Sequence, residues 1–210
     1  MTDVSHEINA TQRRIGSRTL DAGEARVLTI AQSYDTGIED LWDACTNIER
    51  IPRWFLPISG ELQVGGKYQI EGNAGGTVER CDRPNSFAAT WEYGGEVSWI
   101  EVRLVAEGAE RTRFELEHTA AVEDERWAEF GPGAVGIGWD MMLMGLGSHL
   151  GSGAGVRPED AMAWMVSDEG RAFMTASSEA WYAASVAAGT PAEQARAAAD
   201  RCTAAYTATG

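Results

Sequence analysis

The chain is 210 residues long, 44% hydrophobic and 9% aromatic with eight tryptophans, enough apolar material for one domain with a real core plus an appendage. Its 17 basic against 32 acidic residues leave a net charge of −15, which argues against nucleic acid or an anionic membrane surface as partner, since both demand basic patches. Three widely spaced cysteines, Cys45, Cys81 and Cys202, form no C-x-x-C pair and read as buried thiols of a cytoplasmic protein rather than a disulfide frame or zinc site.

The opening stretch MTDVSHEINATQRRIG has no apolar run of the kind a signal peptide needs, and no segment approaches a membrane span. Residues 1–25 are polar with isolated Ile8, Ile15 and Leu20, and read as an N-terminal arm lying on the domain or on a neighbouring subunit. Residues 26–34, RVLTIAQSY, suit a first strand. Thr36 and Glu39 are spaced as a capping box for a helix from Ile38, with Leu41, Trp42 and Cys45 facing inward. Asn47 is placed to cap a second short helix, bounded by Pro52.

Gly65-Gly66 signals a tight hairpin and Asn73 to Gly76 another turn. A strand over 86–93 puts Phe87, Ala89, Trp91 and Tyr93 on one face. In the next strand, 96–106, Ile100, Val102 and Leu104 oppose Trp99, Glu101 and Arg103; in 111–119, Phe114, Leu116 and His118 oppose Arg113, Glu115 and Glu117. Short loops between these strands predict an antiparallel meander with one wet and one covered face.

The covering element is the stretch 131–150, GPGAVGIGWDMMLMGLGSHL, in which Val135, Trp139, Met142, Leu146 and Leu150 recur on one helical face. Gly136, Gly138, Gly145 and Gly147 each cost roughly 1 kcal/mol relative to Ala in a helix interior, so close packing against the backbone is expected, with the sheet as the natural partner. After Gly151 to Gly155, residues 151–210 hold 18 alanines and no convincing strand. Helices are predicted through AMAWM, over about 168–188 with a Phe173, Ser177, Trp181, Ala184 and Ala188 stripe, and after a Thr190 to Glu193 capping box, with Ala195, Ala199, Cys202 and Tyr206 on one side. This extension is expected to pack over the domain or cavity mouth, or to form a homodimer through Trp164, Trp181 and Tyr206.

Four stretches, YDTGIEDLWDACTNIERIPRWF, VGGKY, SFAATWEYGGEVSWIEVRL with TRFELEHTA, and GWDMMLMGL, carry a resemblance to the SRPBCC or START-like superfamily, and within it to the Aha-type group named after the activator of the heat-shock-protein ATPase. The resemblance spans about residues 26–150, with 1–25 and 151–210 outside it. It implies an α+β helix-grip fold: a curved antiparallel sheet around a long C-terminal helix, two short helices after the first strand, and here an Ala-rich helical extension.

Such a fold leaves a cavity between sheet and helix that suits a mostly apolar ligand. The candidate lining is aromatic, from Trp54, Phe55, Tyr68, Trp91 and Phe114, completed by His118, Trp139 and Met142. Tyr68 and His118 are its polar handles, although His118 also reads as a satisfied histidine at a strand end. His149 suits a cationic cap at the helix end, and Asp140 is expected to turn toward solvent or cap a loop, with a cavity-facing carboxylate as the alternative. Gly75-Gly76 lacks the Lys-Ser/Thr and following helix of a phosphate loop.

The expected activity is binding of a small apolar molecule, as binder, carrier or sensor, with no cofactor and no metal. One alternative is an enzyme of the polyketide cyclase or aromatase kind, in which His118, Tyr68 or Asp140 would move protons. The other is an Aha-type interaction module engaging a chaperone through the outer sheet face, which ranks lower because the separate N-terminal domain of true activators is missing.

Overall fold

A computed structural model describes residues 4–20, 23–121, 124–153, 155 and 157–208. In chain order the elements are α1 (Val4–Ala10), β1 (Gln12–Leu20), β2 (Gly23–Tyr34), α2 (Ile38–Thr46), a single 3-10 turn (Ile51–Arg53), β3 (Ile58–Gly60), β4 (Lys67–Ile70), β5 (Gly75–Asp82), β6 (Ser86–Tyr93), β7 (Glu96–Gly108), β8 (Arg111–Ala121), α3 (Asp124–Phe130), α4 (Gly133–Ser152), α5 (Pro158–Met165), α6 (Asp168–Ala187) and α7 (Ala192–Thr207). The eight strands form one antiparallel sheet in the order β1-β2-β8-β7-β6-β5-β4-β3. With the long α4 following the meander, this is the α+β helix-grip class that the sequence implies.

The chain divides into two compact units. One, here the sheet unit, comprises residues 31–120 and 142–156; the other, the helical unit, comprises 1–30, 121–141 and 157–210. The elements β2 and α4 each contribute residues to both.

In the sheet unit, alternation decides which face is covered. Ile100, Val102 and Leu104 on β7 and Phe114 and Leu116 on β8 are buried, while Glu101, Arg103, Arg113, Glu115 and Glu117 take the alternate positions. On that second face Arg103 pairs with Glu101 at 2.9 Å and Arg113 with Glu115 at 3.3 Å. The α2 helix sets Trp42 edge-on to Phe87 of β6, their ring centroids 6.1 Å apart. The later part of α4 is held by Tyr34, whose hydroxyl donates to the Leu143 carbonyl at 3.0 Å. At Gly145 any Cβ would collide with the backbone carbonyl oxygen of Trp54, which is why this buried helix carries glycine there.

In the helical unit, the close partner of α4 is a helix rather than the sheet. A Cβ at Gly136 would run into the Trp181 indole of α6. The α6 helix opens with Ser167, whose side chain accepts the Gly170 N–H, and buries Phe173, Ser177 and Trp181. On α7, Ala195, Ala199 and Cys202 are buried, and the half-buried Tyr206 donates its hydroxyl to the Ala134 carbonyl at 2.9 Å. Residues 4–20, read from sequence as a polar arm, form a short helix and a nine-residue strand.

Several local expectations fail for identifiable reasons. The side chain of Thr36 bonds the Asp40 carboxylate at 2.7 Å instead of capping α2, whose cap residue is Gly37. Asn47 makes an Asx turn with Glu49 N–H, and Pro52 lies within the 3-10 turn. Thr190 is engaged by Ser185, leaving Pro191 as the cap residue of α7 without a side-chain bond. Cys45 and Cys202 are buried, but Cys81 is exposed on the outer part of β5, and all three thiols are free. Ala154, within the 151–155 linker, lies outside the described residues, as do residues 1–3 and 209–210. Among the described residues no helix is long and apolar enough to cross a membrane.

Candidate functional site

Strand register places four of the sequence-predicted residues on one sheet face. Val78 pairs with Ala89, Ala89 with Ile100, and Ile100 with His118. Phe114 lies two pleats from His118 on the same face. Trp91, paired with Ser98, occupies the next row. Tyr68 pairs with Gly76, which shares the face of Val78, so β4 brings Tyr68 to the same side. Among its apolar residues this inner face carries the polar side chains of His118, Ser98 and Tyr68, with Thr112 further along β8 and the exposed Glu96 at the start of β7.

His118 is 7% exposed and its Nε2 lies 2.8 Å from the Ser98 hydroxyl oxygen. The Ser98 hydroxyl donates to the Trp91 carbonyl at 3.0 Å. The tautomer that fits both contacts has Nε2 carrying the ring proton and donating to the Ser98 oxygen, with Nδ1 as the acceptor nitrogen. The Trp91 indole stands edge-on to the imidazole, centroids 6.4 Å apart at 61°. Burial pushes the His118 pKa down to about 4, because desolvation penalises the imidazolium, and the ring is neutral at pH 7. Sequence reading missed Ser98; the signal was a hydroxyl at an inward position of a strand otherwise filled by Ile, Val and Leu.

Tyr68 is buried and donates its hydroxyl to the Thr90 carbonyl at 2.6 Å. Desolvation, reinforced by Glu92, pushes its phenol above the usual range. A Cβ at Gly76 would strike that same Thr90 carbonyl oxygen, so Gly75-Gly76 serves a close strand approach within β5.

Trp54 is buried, donates its indole N–H to the Ala44 carbonyl at 3.0 Å, and stacks on the half-buried Phe55 with centroids 5.8 Å apart. Met142, on α4, is buried in the sheet unit. Trp139 is also buried but belongs to the helical unit.

Asp140 departs from its expected role. It is 2% exposed and receives two Arg13 donors, with Nη2 to Oδ1 at 2.9 Å and Nε to Oδ2 at 3.1 Å. Trp181 Nε1 donates to Oδ2 at 3.0 Å, and the Ser177 hydroxyl donates to the same oxygen. Burial pushes the carboxyl up from its usual range, while the Arg13 charge and the donors pull against that shift. Each carboxylate oxygen is already met by donors from its own unit, so this group is a structural anchor. His149 is likewise spoken for: its Nε2 accepts from Arg50 Nε at 3.1 Å. Arg50 is held in turn by Asp40 at 2.8 Å and Asp43 at 3.0 Å.

A cavity of about 440 Å³ opens at β5 and β6, lined by Val64, Cys81 and Phe87 together with the charged Glu79, Arg80 and Asp82. None of the eight sequence-predicted residues lines it, and its charged rim is unsuited to an apolar molecule. Among the described residues no group of three or more His, Cys, Asp or Glu side chains could hold a metal ion.

Comparison with known proteins adds the following. The family model described as Activator of Hsp90 ATPase homolog 1-like protein matches residues 35–151. CalU16 from Micromonospora echinospora is 37% identical in its crystal structure, with a TM-score of 0.65 over 83% of this chain and 98% of that one. Its solution structure gives 35% identity and a TM-score of 0.71 over 86% of this chain and 97% of that one. A protein from Mesorhizobium loti shares the fold at 19% identity, with a TM-score of 0.54 over 60% of this chain and 97% of that one. DynU16, a protein in the dynemicin biosynthetic locus, shares it at 16% identity, with a TM-score of 0.56 over 61% of this chain and 48% of that one. No curated protein matches the sequence.

Proposed function

Because this chain belongs to the family of Activator of Hsp90 ATPase homolog 1-like proteins, a ligand-binding type of fold, we propose that it binds a small, mostly apolar molecule against the inner face of its sheet unit. The observation that carries this reading is the His118–Ser98–Trp91 group: an uncharged hydrogen-bonding centre set in an apolar face, the composition expected of a small-molecule site. Tyr68, Trp91, Phe114 and His118 supply the sheet wall of the proposed site. Met142 and the stacked Trp54 and Phe55 belong to the same unit and complete the set. Trp139, in the other unit, is left out of the proposed site. The protein acts as a binder, carrier or sensor, and its three free thiols suit a reducing cytoplasm.

The polar groups are less suited to an enzyme of the cyclase kind. The Tyr68 proton is committed to a backbone carbonyl, and the Asp140 carboxylate to Arg13, Ser177 and Trp181. Native and denaturing mass spectra of freshly purified protein test the binding reading. A small molecule that accompanies the native chain and is lost on denaturation supports it. A bare native mass together with no thermal stabilisation by apolar compounds would count against it.

A further inference from the structure

We infer that the ligand is uncharged and carries a hydroxyl on its apolar skeleton, with that hydroxyl donating to the Ser98 side-chain oxygen; this rests on the binding reading above. The argument begins with strand register. On β6, β7 and β8 the inward positions hold Ala89 and Trp91, then Ser98, Ile100 and Val102, then Phe114, Leu116 and His118. Around the buried rows the charged residues Glu92, Glu101, Arg103, Arg113, Glu115 and Glu117 fall on alternate positions and so on the opposite face, while Glu96, which shares the face of Ser98, lies at the exposed start of β7. A carboxylate or ammonium seated on the inner face would be stripped of water opposite neutral groups, whereas a hydroxyl would not meet that penalty.

The direction of the hydrogen bond follows from proton bookkeeping around Ser98. A hydroxyl has one proton and two acceptor positions. The proton goes to the Trp91 carbonyl at 3.0 Å, and one acceptor position takes His118 Nε2–H at 2.8 Å. The second acceptor position of the hydroxyl of half-buried Ser98 suits a donor, which a ligand hydroxyl supplies and an ether or ketone does not. His118 and Trp91 thereby act as positioning residues: they fix the orientation in which Ser98 meets the ligand. A site that pairs with a hydroxyl discriminates against an analogue lacking it, because the protein group is then left desolvated and unmatched.

Three matched probes test this by titration calorimetry at pH 7: 2-naphthalenemethanol, its methyl ether 2-(methoxymethyl)naphthalene, and 2-naphthoate. The alcohol is expected to bind at least tenfold more tightly than either of the others, and Ser98→Ala to narrow the gap between alcohol and ether while leaving the ether's affinity within about twofold. Naphthoate binding as tightly as the alcohol, or the ether matching it on the native protein, would overturn the inference and leave the binding reading standing. Failure of all three probes to bind would overturn the binding reading itself. The comparison among probes on the native protein is decisive even where Ser98→Ala folds poorly.

Discussion

Arg13 and Asp140, 127 positions apart in sequence, form a bidentate ion pair whose side chains are 5% and 1% exposed. Arg13 is on β1 and Asp140 on α4, and Ser177 and Trp181 of α6 close around the same carboxylate. One group thus ties three distant segments of the helical unit together. Removing only the cation leaves a buried charge without its partner, so Arg13→Ala should cost about 3–5 kcal/mol. Combining Arg13→Ala with Asp140→Asn should cost less than the sum of the two single changes. Denaturant unfolding of the four proteins in a double-mutant cycle measures this, and additive effects would show that the pair is not coupled.

His118 makes stability depend on acid. Its folded pKa of about 4 lies below the unfolded value near 6.5, so the unfolded chain binds a proton first as pH falls. The contribution is therefore complete above about pH 6.5 and is lost progressively between there and about pH 4, by about 3 kcal/mol in all. His118→Leu should flatten that part of the stability curve relative to the parent protein. Unfolding free energies across pH 4–7 for both proteins test it; parallel curves would contradict the assignment.

The glycines of α4 are not equivalent. Gly145→Ala forces a methyl against the Trp54 carbonyl oxygen and should destabilise by about 1–3 kcal/mol, despite the usual helix preference for alanine. At Gly138 the added methyl meets only the Tyr206 hydroxyl at 3.9 Å, so Gly138→Ala should stabilise by up to about 1 kcal/mol. Thermal melts of the two variants should move in opposite directions.

Thiol reactivity should follow burial. Cys81 is exposed, whereas burial pushes the Cys45 thiol up to about 12 and the Cys202 thiol up to about 11. Iodoacetamide on the native protein should modify Cys81 alone, and all three thiols after denaturation. Peptide mass mapping that found Cys45 modified as fast as Cys81 would contradict the burial of α2 seen here.

These outcomes rest on features of uneven visibility in the sequence. The strands from Ser86 to Ala121 were legible from their alternation of apolar and polar residues, and α4 from a long, mostly apolar run, although Val135 of its expected inward stripe is exposed. Through that alternation the shared face of Trp91, Phe114 and His118 was legible as well. The strand β1 was not: QRRIGSRTL has no buried apolar row, and its one deeply buried side chain is an arginine. Nothing local marks Arg13 or Ser177 as partners of Asp140, since the pairing joins positions brought together only by the fold. The caps at Thr36 and Thr190 failed because nearer polar partners, Asp40 and Ser185, compete for the same hydroxyls. Cys81 defeated the rule that free cysteines are buried because it sits in the exposed outer half of β5.

The proposed site is tested most directly by methyl NMR of the protein labelled at its seven methionines, titrated with 2-naphthalenemethanol. Met142 is 4% exposed and belongs to the proposed site, whereas Met162 of α5 is 70% exposed and serves as an internal control. Binding on the inner face of the sheet unit should shift the Met142 methyl resonance saturably and leave Met162 unchanged. A saturable shift at Met162 with Met142 unmoved would contradict the account.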